Sequence, residues 1–313
     1  KNNYHNVHCY PEYIPVTLKN RLAQKHGVPP ENIVLSAGSV GMIDMIIKIF
    51  VRFDEDVLTF EKSFVAYGLA AKANKKTCNF AKLTNLTCDV NNLFPLIGEK
   101  TKAIFITNPN NPTGTIISHD ELFHLLDKIS SNILVIIDEA YFEYVTDDTF
   151  PDSLKLQKES PNLVILRTFS KIYGLAGLRI GYAIANENIV MEVEKYSPPF
   201  SITSLAAKAA YAALDDFEFV EKCVQLNARE RDFLFNELKN LGYNVIPSQG
   251  NFIYMYFDRY EEKERTFKQL EDNGILICNL DIFKQENSLR ISIGDSKTNI
   301  KIIEHLSKLK NTI

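Results

Sequence analysis

LVILRTFSKIYGLAGLRIGY, residues 163–182, is the stretch from which the fold follows. Its first four residues are apolar, as in a parallel strand buried on both faces. Thr168, Ser170 and Lys171 come next, then a turn rich in Gly and Ala, Arg179, and a second apolar run. A lysine just past a buried strand can form a Schiff base with an aldehyde, while hydroxyls, backbone amides and a guanidinium hold a phosphate. Pyridoxal phosphate carries both groups. The plain alternative is an ordinary strand–loop–strand with a surface lysine, and other segments have to choose between the two.

Upstream, two more apolar runs end in polar residues. Residues 103–107 lead into Asn108-Pro109-Asn110-Asn111-Pro112-Thr113-Gly114, where Asn-Pro steps and a glycine dictate an extended, rigid loop. Such a loop at the end of a buried strand is a good mount for a polar side chain aimed at a ligand, although it also serves simply as a turn. Residues 133–137 end in Asp138-Glu139-Ala140-Tyr141. A carboxylate there is costly to bury unless a cation meets it. That cation is either a protonated pyridine nitrogen, with Tyr141 reaching the ring's phenolic oxygen, or an arginine in a structural salt bridge. Ligands of open α/β sheets sit outside the carboxyl ends of the strands. Asn111, Asp138 and Lys171 follow three such ends and offer complementary chemistry for one cofactor.

Earlier in the chain, a strand over 32–35 passes through Ser36-Ala37-Gly38-Ser39 into a helix over 40–50, which makes an anion site of backbone amides. A strand over 57–60 ends at Glu61-Lys62-Ser63-Phe64, where Phe64 either lies over a planar ring or fills core. A strand over 76–83, a short helix over 89–98 and a helix opened by the capping box Ser118-His119-Asp120-Glu121 follow. Beyond residue 182 we expect a helix near 189–195 and a long helical stretch over 204–241, broken at Asp215-Asp216, that bridges into a second domain. Strands over 251–257, 275–277 and 289–293 and helices over 14–27, 261–273 and 297–310 complete the pattern, the last with Ile300, Ile303 and Leu306 at helical spacing. Arg290, set among apolar residues, suits either an ion pair or the clamping of a substrate anion.

At 313 residues the chain has room for a large core and two domains. A net charge of −4 gives no footprint for nucleic acid or an anionic membrane. Five scattered cysteines without a CxxC pair suit reduced thiols in the cytoplasm. His5, His8 and Cys9 lie close together, but a solvated N-terminal segment accounts for them better than a metal site. No signal peptide or membrane span is expected, since the most apolar window, residues 42–51, is interrupted by Asp44 and Lys48. Residue 1 is Lys, so further residues are expected upstream.

Together these segments resemble the fold-type I pyridoxal phosphate (PLP) aminotransferases, and within them the histidinol-phosphate aminotransferases. The resemblance covers nearly the whole chain and rests on N-P-N-N-P-T-G (108–114), D-E-A-Y (138–141) and T-F-S-K-I-Y-G-L-A-G-L-R-I-G-Y (168–182). It implies an α/β fold: an N-terminal arm over 1–13, a large domain over 14–203 with a mostly parallel sheet between helices, and a bridging helix with a smaller α+β domain over 204–313. It further implies Lys171 as Schiff-base lysine and proton shuttle, Asp138 opposite the pyridinium nitrogen, Asn111 and Tyr141 on the ring oxygen, and Phe64 stacked on the ring. The backbone at Ser39 and Val40, with Thr168, Ser170 and Arg179, would hold the cofactor phosphate, and Tyr10 would reach it from the partner subunit of a homodimer. Asn251 and Arg290 would face the substrate, with Arg290 binding its carboxylate or phosphate. The implied reaction moves an amino group between glutamate or 2-oxoglutarate and a small phosphorylated ketone, with no metal. A PLP-dependent decarboxylase of a phosphorylated amino acid and a non-catalytic PLP-binding protein are the competing readings. D-E-A-Y and G-L-A-G-L-R sit closer to the aminotransferase branch, and mere binding needs no proton shuttle.

Several positions depart from the family pattern. The upstream part of the arm, before the Tyr-Pro step, is expected to be missing from this sequence; Cys9 replaces an arginine before Tyr10-Pro11, and Val40-Gly41 stands where an acidic pair is usual. Cys278 falls where a second anion-binding arginine is usual, and a thiol cannot replace a bidentate guanidinium. The substrate phosphate is therefore expected to be held differently, with help from Lys284. Otherwise the acceptor is a smaller ketone, such as dihydroxyacetone phosphate, in place of imidazole-acetol phosphate.

Overall fold

The computed structural model describes residues 8–310; His5 and the first residues of the arm lie outside them. Among the described residues no group of three or more His, Cys, Asp or Glu side chains is placed to hold a metal ion. In chain order the first elements are α1 (Val16–His26), β1 (Ile33–Ser36), α2 (Ser39–Phe50), β2 (Asp56–Phe60), α3 (Ala66–Ala73) and β3 (Thr77–Ala81). Next come β4 (Thr101–Thr107), α4 (His119–Lys128), β5 (Leu134–Asp138), α5 (Ser153–Glu159), β6 (Leu163–Thr168), β7 (Gly181–Ile184) and α6 (Glu187–Tyr196). The capping box that opens α4 forms as expected, with Ser118 and Glu121 bonding each other's backbone.

Strands β1 to β7 make one seven-stranded sheet in the order β1-β7-β6-β5-β4-β2-β3. β2 to β6 pair in parallel, and β7 runs against both its neighbours. The alternation of side chains along a strand explains why the central strands are apolar throughout. Ile104 and Ile106, Val135 and Ile137, and Leu163 and Ile165 enter one core with α1 and α4. Ala103 and Phe105, Leu134 and Ile136, and Val164 and Leu166 enter the other, against α2, α3 and α6. Each large side chain so buried contributes about 1.5–3 kcal/mol relative to exposure. With both faces covered, the carboxyl ends of the parallel strands are left at one edge.

α7 (Ser204–Ala213) packs Ala206 and Ala210 into the first core. The break expected at Asp215-Asp216 is real: Asp216 caps α8 (Phe217–Asn240) by accepting from the Phe219 amide. α8 passes from one core to another, since Val220 and Val224 touch the first while Leu234 and Leu238 belong to a separate cluster. That cluster lies on a four-stranded antiparallel sheet made of β8 (Asn244–Val245), β9 (Phe252–Tyr256), β10 (Cys278–Asn279) and β11 (Ser288–Ser292). α9 (Tyr260–Asp272) and α10 (Ser296–Lys310) cover it.

Some expected elements are placed differently. Residues 89–98 form two 3-10 turns, Val90–Asn92 and Phe94–Leu96, because Pro95 has no N–H for an α-helical bond. The strand expected over 275–277 forms three residues later as β10: Leu276 is 83% exposed, and pairing begins where Cys278 meets Arg290. In α10 the inward face carries Asn299, Ile302, Leu306 and Leu309, which turns Ile300 to solvent. Among the described residues no helix is long and apolar enough to cross a membrane. Asp216→Ala is expected to cost about 1 kcal/mol by removing the α8 cap, and Asp216→Asn much less, because it keeps the acceptor. Equal losses in urea unfolding would show that the cap is not the cause.

Candidate active site

The carboxyl ends of β4, β5 and β6 open on a cavity of about 290 Å³, lined by Asn111, Asp138, Tyr141 and Lys171 among others. The loop after β4 is braced by two of its three asparagines. Asn108 accepts from the Ile117 amide at 3.0 Å and donates to its carbonyl at 3.2 Å. Asn110 donates to Thr113 Oγ1 at 2.8 Å and accepts from Ser63 Oγ at 2.8 Å. Gly114 closes the loop at φ 80°, where an added Cβ would lie 3.1 Å from Ser248 Cα. Asn111 is left to face the cavity, where its Oδ1 accepts from Arg290 Nη1. The Nε of Arg290 is buried without a partner among the described residues.

Asp138 ends β5 at 1% exposure. Its Oδ2 accepts from the Tyr67 hydroxyl at 3.1 Å, and its Oδ1 is buried with no partner among the described residues. Burial pushes its pKa up to about 6, opposed by the hydrogen bonds from Tyr67 and the Ala140 amide and by the charge of Lys171. The salt-bridge alternative does not hold for Asp138. The buried arginine beside it, Arg167, donates from Nε at 3.0 Å and Nη2 at 2.8 Å to Glu139 instead. A carboxylate oxygen sealed in a polar cavity without a partner calls for a cation supplied from outside the chain.

Lys171 Nζ lies 5.1 Å from the Tyr141 ring centroid, and that ring packs edge-on against Phe252 at 5.0 Å. Across the cavity floor, Ser39 and Val40 start α2, whose first turn has neither a capping side chain nor an acidic residue. Val40-Gly41 thus leaves these amides free of negative charge and open to an anion. Arg179 donates from Nη1 to Ala176 O at 2.7 Å and to Ser170 Oγ at 3.4 Å, while Thr168 Oγ1 accepts from the Ser170 amide at 3.1 Å. Two glycines make this convergence possible. At Gly38, with φ 82°, a Cβ would sit 2.5 Å from Arg179 Nη2; at Gly181 it would sit 2.9 Å from the Ser39 nitrogen. Phe64 lines the same cavity.

Tyr10 and Asn251 are not among the lining residues. Tyr10 is 84% exposed, its ring 5.1 Å from that of Phe200. Asn251 bonds Tyr144 with its side chain and accepts from the Ile293 amide with its carbonyl. Cys278 sits opposite Arg290, its thiol 3.6 Å from the Asn279 carbonyl. Lys284 and Lys62 line an adjoining groove that shares Phe64 and Phe283 with the cavity. Tyr67, Thr107 and Phe283 went unrecognised in the sequence. Thr107 carried a signal, a polar residue closing an apolar strand as Asp138 and Thr168 do. Tyr67 lies one helical turn past Phe64, and only its complete burial shows that its hydroxyl needs a partner.

Comparison with known proteins bears on the same residues. The family model for aminotransferase class I and II matches residues 2–306. The chain is 40% identical over 304 residues to a histidinol-phosphate aminotransferase of Anaeromyxobacter sp. (strain Fw109-5), covering 97% of this chain and 83% of that protein. It is 36% identical over 309 residues to one from Caldicellulosiruptor saccharolyticus, covering 99% and 86%. The crystal structure of the histidinol-phosphate aminotransferase from Clostridium acetobutylicum superposes with a TM-score of 0.90 at 25% identity, covering 99% of this chain and 93% of that one.

The raised pKa of Asp138 has a consequence for the cofactor-free protein. The folded state binds this proton more tightly than the unfolded chain, so ionisation weakens the fold as pH climbs from about 4 to about 6, and the loss persists above. Asp138→Asn removes that loss. Its stability relative to wild type is expected to rise across this window and then level off in urea titrations at a series of pH values. A difference independent of pH would contradict it.

Proposed function

The chain belongs to the class I and II aminotransferases and is a pyridoxal 5'-phosphate-dependent transaminase, and from that premise we propose that it moves an amino group between glutamate or 2-oxoglutarate and a small phosphorylated ketone of the imidazole-acetol phosphate type. The names of its relatives favour transfer over decarboxylation. The observation that carries the assignment of the site is the partnerless Oδ1 of Asp138, buried in the cavity that also holds Lys171.

The residues present suit the cofactor. A protonated ring nitrogen is the cation that Asp138 lacks, and the amides of Ser39 and Val40 with Thr168, Ser170 and Arg179 suit its phosphate. When bound, the cofactor supplies an aldehyde for covalent attachment and a ring that takes up electron density from the reacting carbon. Lys171 would be the covalent attachment point, and its Nζ, once free, would serve as the acid–base group at the reacting carbon, a role that supplies roughly 10²- to 10⁴-fold. Asp138 would hold the ring nitrogen in its protonated form, Asn111 and Tyr141 would bond the phenolic oxygen, and Phe64 would pack on the ring. Arg290 binds a substrate anion.

A thiol at Cys278 cannot supply a cation, so Lys284 and Lys62 in the adjoining groove are the further cations for a substrate phosphate. We read the enzyme as a cytoplasmic homodimer in which Tyr10 serves the partner's cofactor. An aromatic group of Tyr10, Tyr13 and Phe200, exposed and outside the cavity of its own chain, supports this.

Lys171→Ala is expected to abolish turnover and the visible absorbance of covalently held cofactor; near-normal turnover would reject the assignment. Phosphorylated ketones offered with glutamate should yield 2-oxoglutarate, and imidazole-acetol phosphate should react faster than dihydroxyacetone phosphate. The reverse order would assign the smaller ketone, and carbon dioxide released from a phosphorylated amino acid would overturn the transfer reading.

A further inference from the structure

Behind Asp138 runs a polar chain that the reaction described above leaves without a task. Tyr67, fully buried at the start of α3, lies 3.1 Å from Asp138 Oδ2 and 2.6 Å from Thr107 Oγ1. Thr107 Oγ1 lies 3.3 Å from Ser63 Oγ, which donates to Asn110 Oδ1 at 2.8 Å. Proton counting sets the directions. A tyrosine hydroxyl has one proton and an ionised carboxylate only accepts. Tyr67 therefore donates to Asp138, and Thr107 donates to Tyr67. Burial, and then the charge of Asp138, push the Tyr67 hydroxyl well above its usual range, so it stays a donor throughout the working pH range. Its ring is clamped, stacked on Phe105 at 5.0 Å and met edge-on by Phe64 at 5.7 Å.

We propose that Tyr67 is a positioning residue for amino transfer: by fixing one oxygen of Asp138 in its charged form, it presents the partnerless oxygen to the ring nitrogen and keeps the shared proton on that nitrogen. This rests on the reading that Asp138 faces the ring nitrogen. The titratable and charged groups facing Asp138 are Tyr67 from α3, Lys171 from the turn after β6 and Glu139 beside it, while Cys88, between β3 and β4, faces Tyr67. Lys171 favours the carboxylate charge through space and Glu139 opposes it; Tyr67 is the side chain that bonds it. Without that bond the carboxylate becomes the stronger base, and the proton shared with the ring moves toward it.

Tyr67→Phe keeps the packing on Phe105 and removes only the hydroxyl. Enzyme loaded with pyridoxal 5'-phosphate isotope-labelled at the ring nitrogen is compared with wild type by NMR. In the variant the nitrogen resonance is expected to move toward that of neutral pyridine. Cofactor affinity should weaken and the single-turnover rate with glutamate should fall about tenfold or more, the usual scale for losing a hydrogen bond to a charged group. Asp138→Asn is the reference. If it leaves the resonance in place, Asp138 does not face the nitrogen and the underlying reading fails. If Asp138→Asn moves the resonance and Tyr67→Phe does not, Tyr67 merely packs and the proposal is overturned, whatever the activity. Thr107→Val, which deprives Tyr67 of its donor, should produce a smaller shift in the same direction; no shift there overturns the proposal even where Tyr67→Phe does not fold.

Discussion

One carboxylate oxygen, sealed at the end of β5 with nothing to bond among the described residues, is the constraint on which the rest of this molecule depends. Burying a carboxylate without a cation is costly. The chain has a buried arginine within reach, yet successive residues at a strand's end point to opposite sides, and Arg167 meets Glu139. Asp138 keeps only a hydroxyl and an amide on its own side. The two acidic neighbours thus differ, Glu139 completed by Arg167 and Asp138 keeping one oxygen without a partner among the described residues.

The architecture brings that oxygen into one cavity with Lys171, the start of α2 and Arg179. Parallel strands gather their carboxyl ends at one edge, and helices on both faces keep water away. The reversed strand β7 matters most for the cup. It returns Gly181 against the start of α2, and the left-handed backbone of Arg179, at φ 52°, turns the guanidinium toward Gly38. At Gly181 an added Cβ would press on backbone, and at Gly38 the left-handed φ of 82° resists one. Gly181 is there for proximity and Gly38 for its turn.

Much of this was legible from residue order. Apolar runs broken by Asn111, Asp138 and Lys171 gave the sheet, its polarity and most of the cavity wall, because two-sided burial leaves a continuous apolar signature. Contacts between distant segments were not legible. Tyr67 reads as one more aromatic on an amphipathic helix, and its bond to Asp138 spans 71 residues. β10 was misplaced because Ile275-Leu276-Ile277 is apolar enough for a strand, while tertiary pairing with β11 selects Cys278 and Asn279 instead. α5, with a charged sequence of seven residues, left no pattern to recognise.

The bond between Arg290 and Asn111 joins residues 179 apart, one on the smaller sheet and one in the loop of the larger. It ties the two lobes across the mouth of the site. On the proposed reading of Arg290 as an anion clamp, an arriving anion trades this bond for its own and releases the amide oxygen, while Arg231 on the Tyr144 carbonyl and Gln249 on Thr146 and Gly114 go on holding the lobes together. Binding there is then a difference between two hydrogen bonds, and a weakly charged visitor gains little from the exchange.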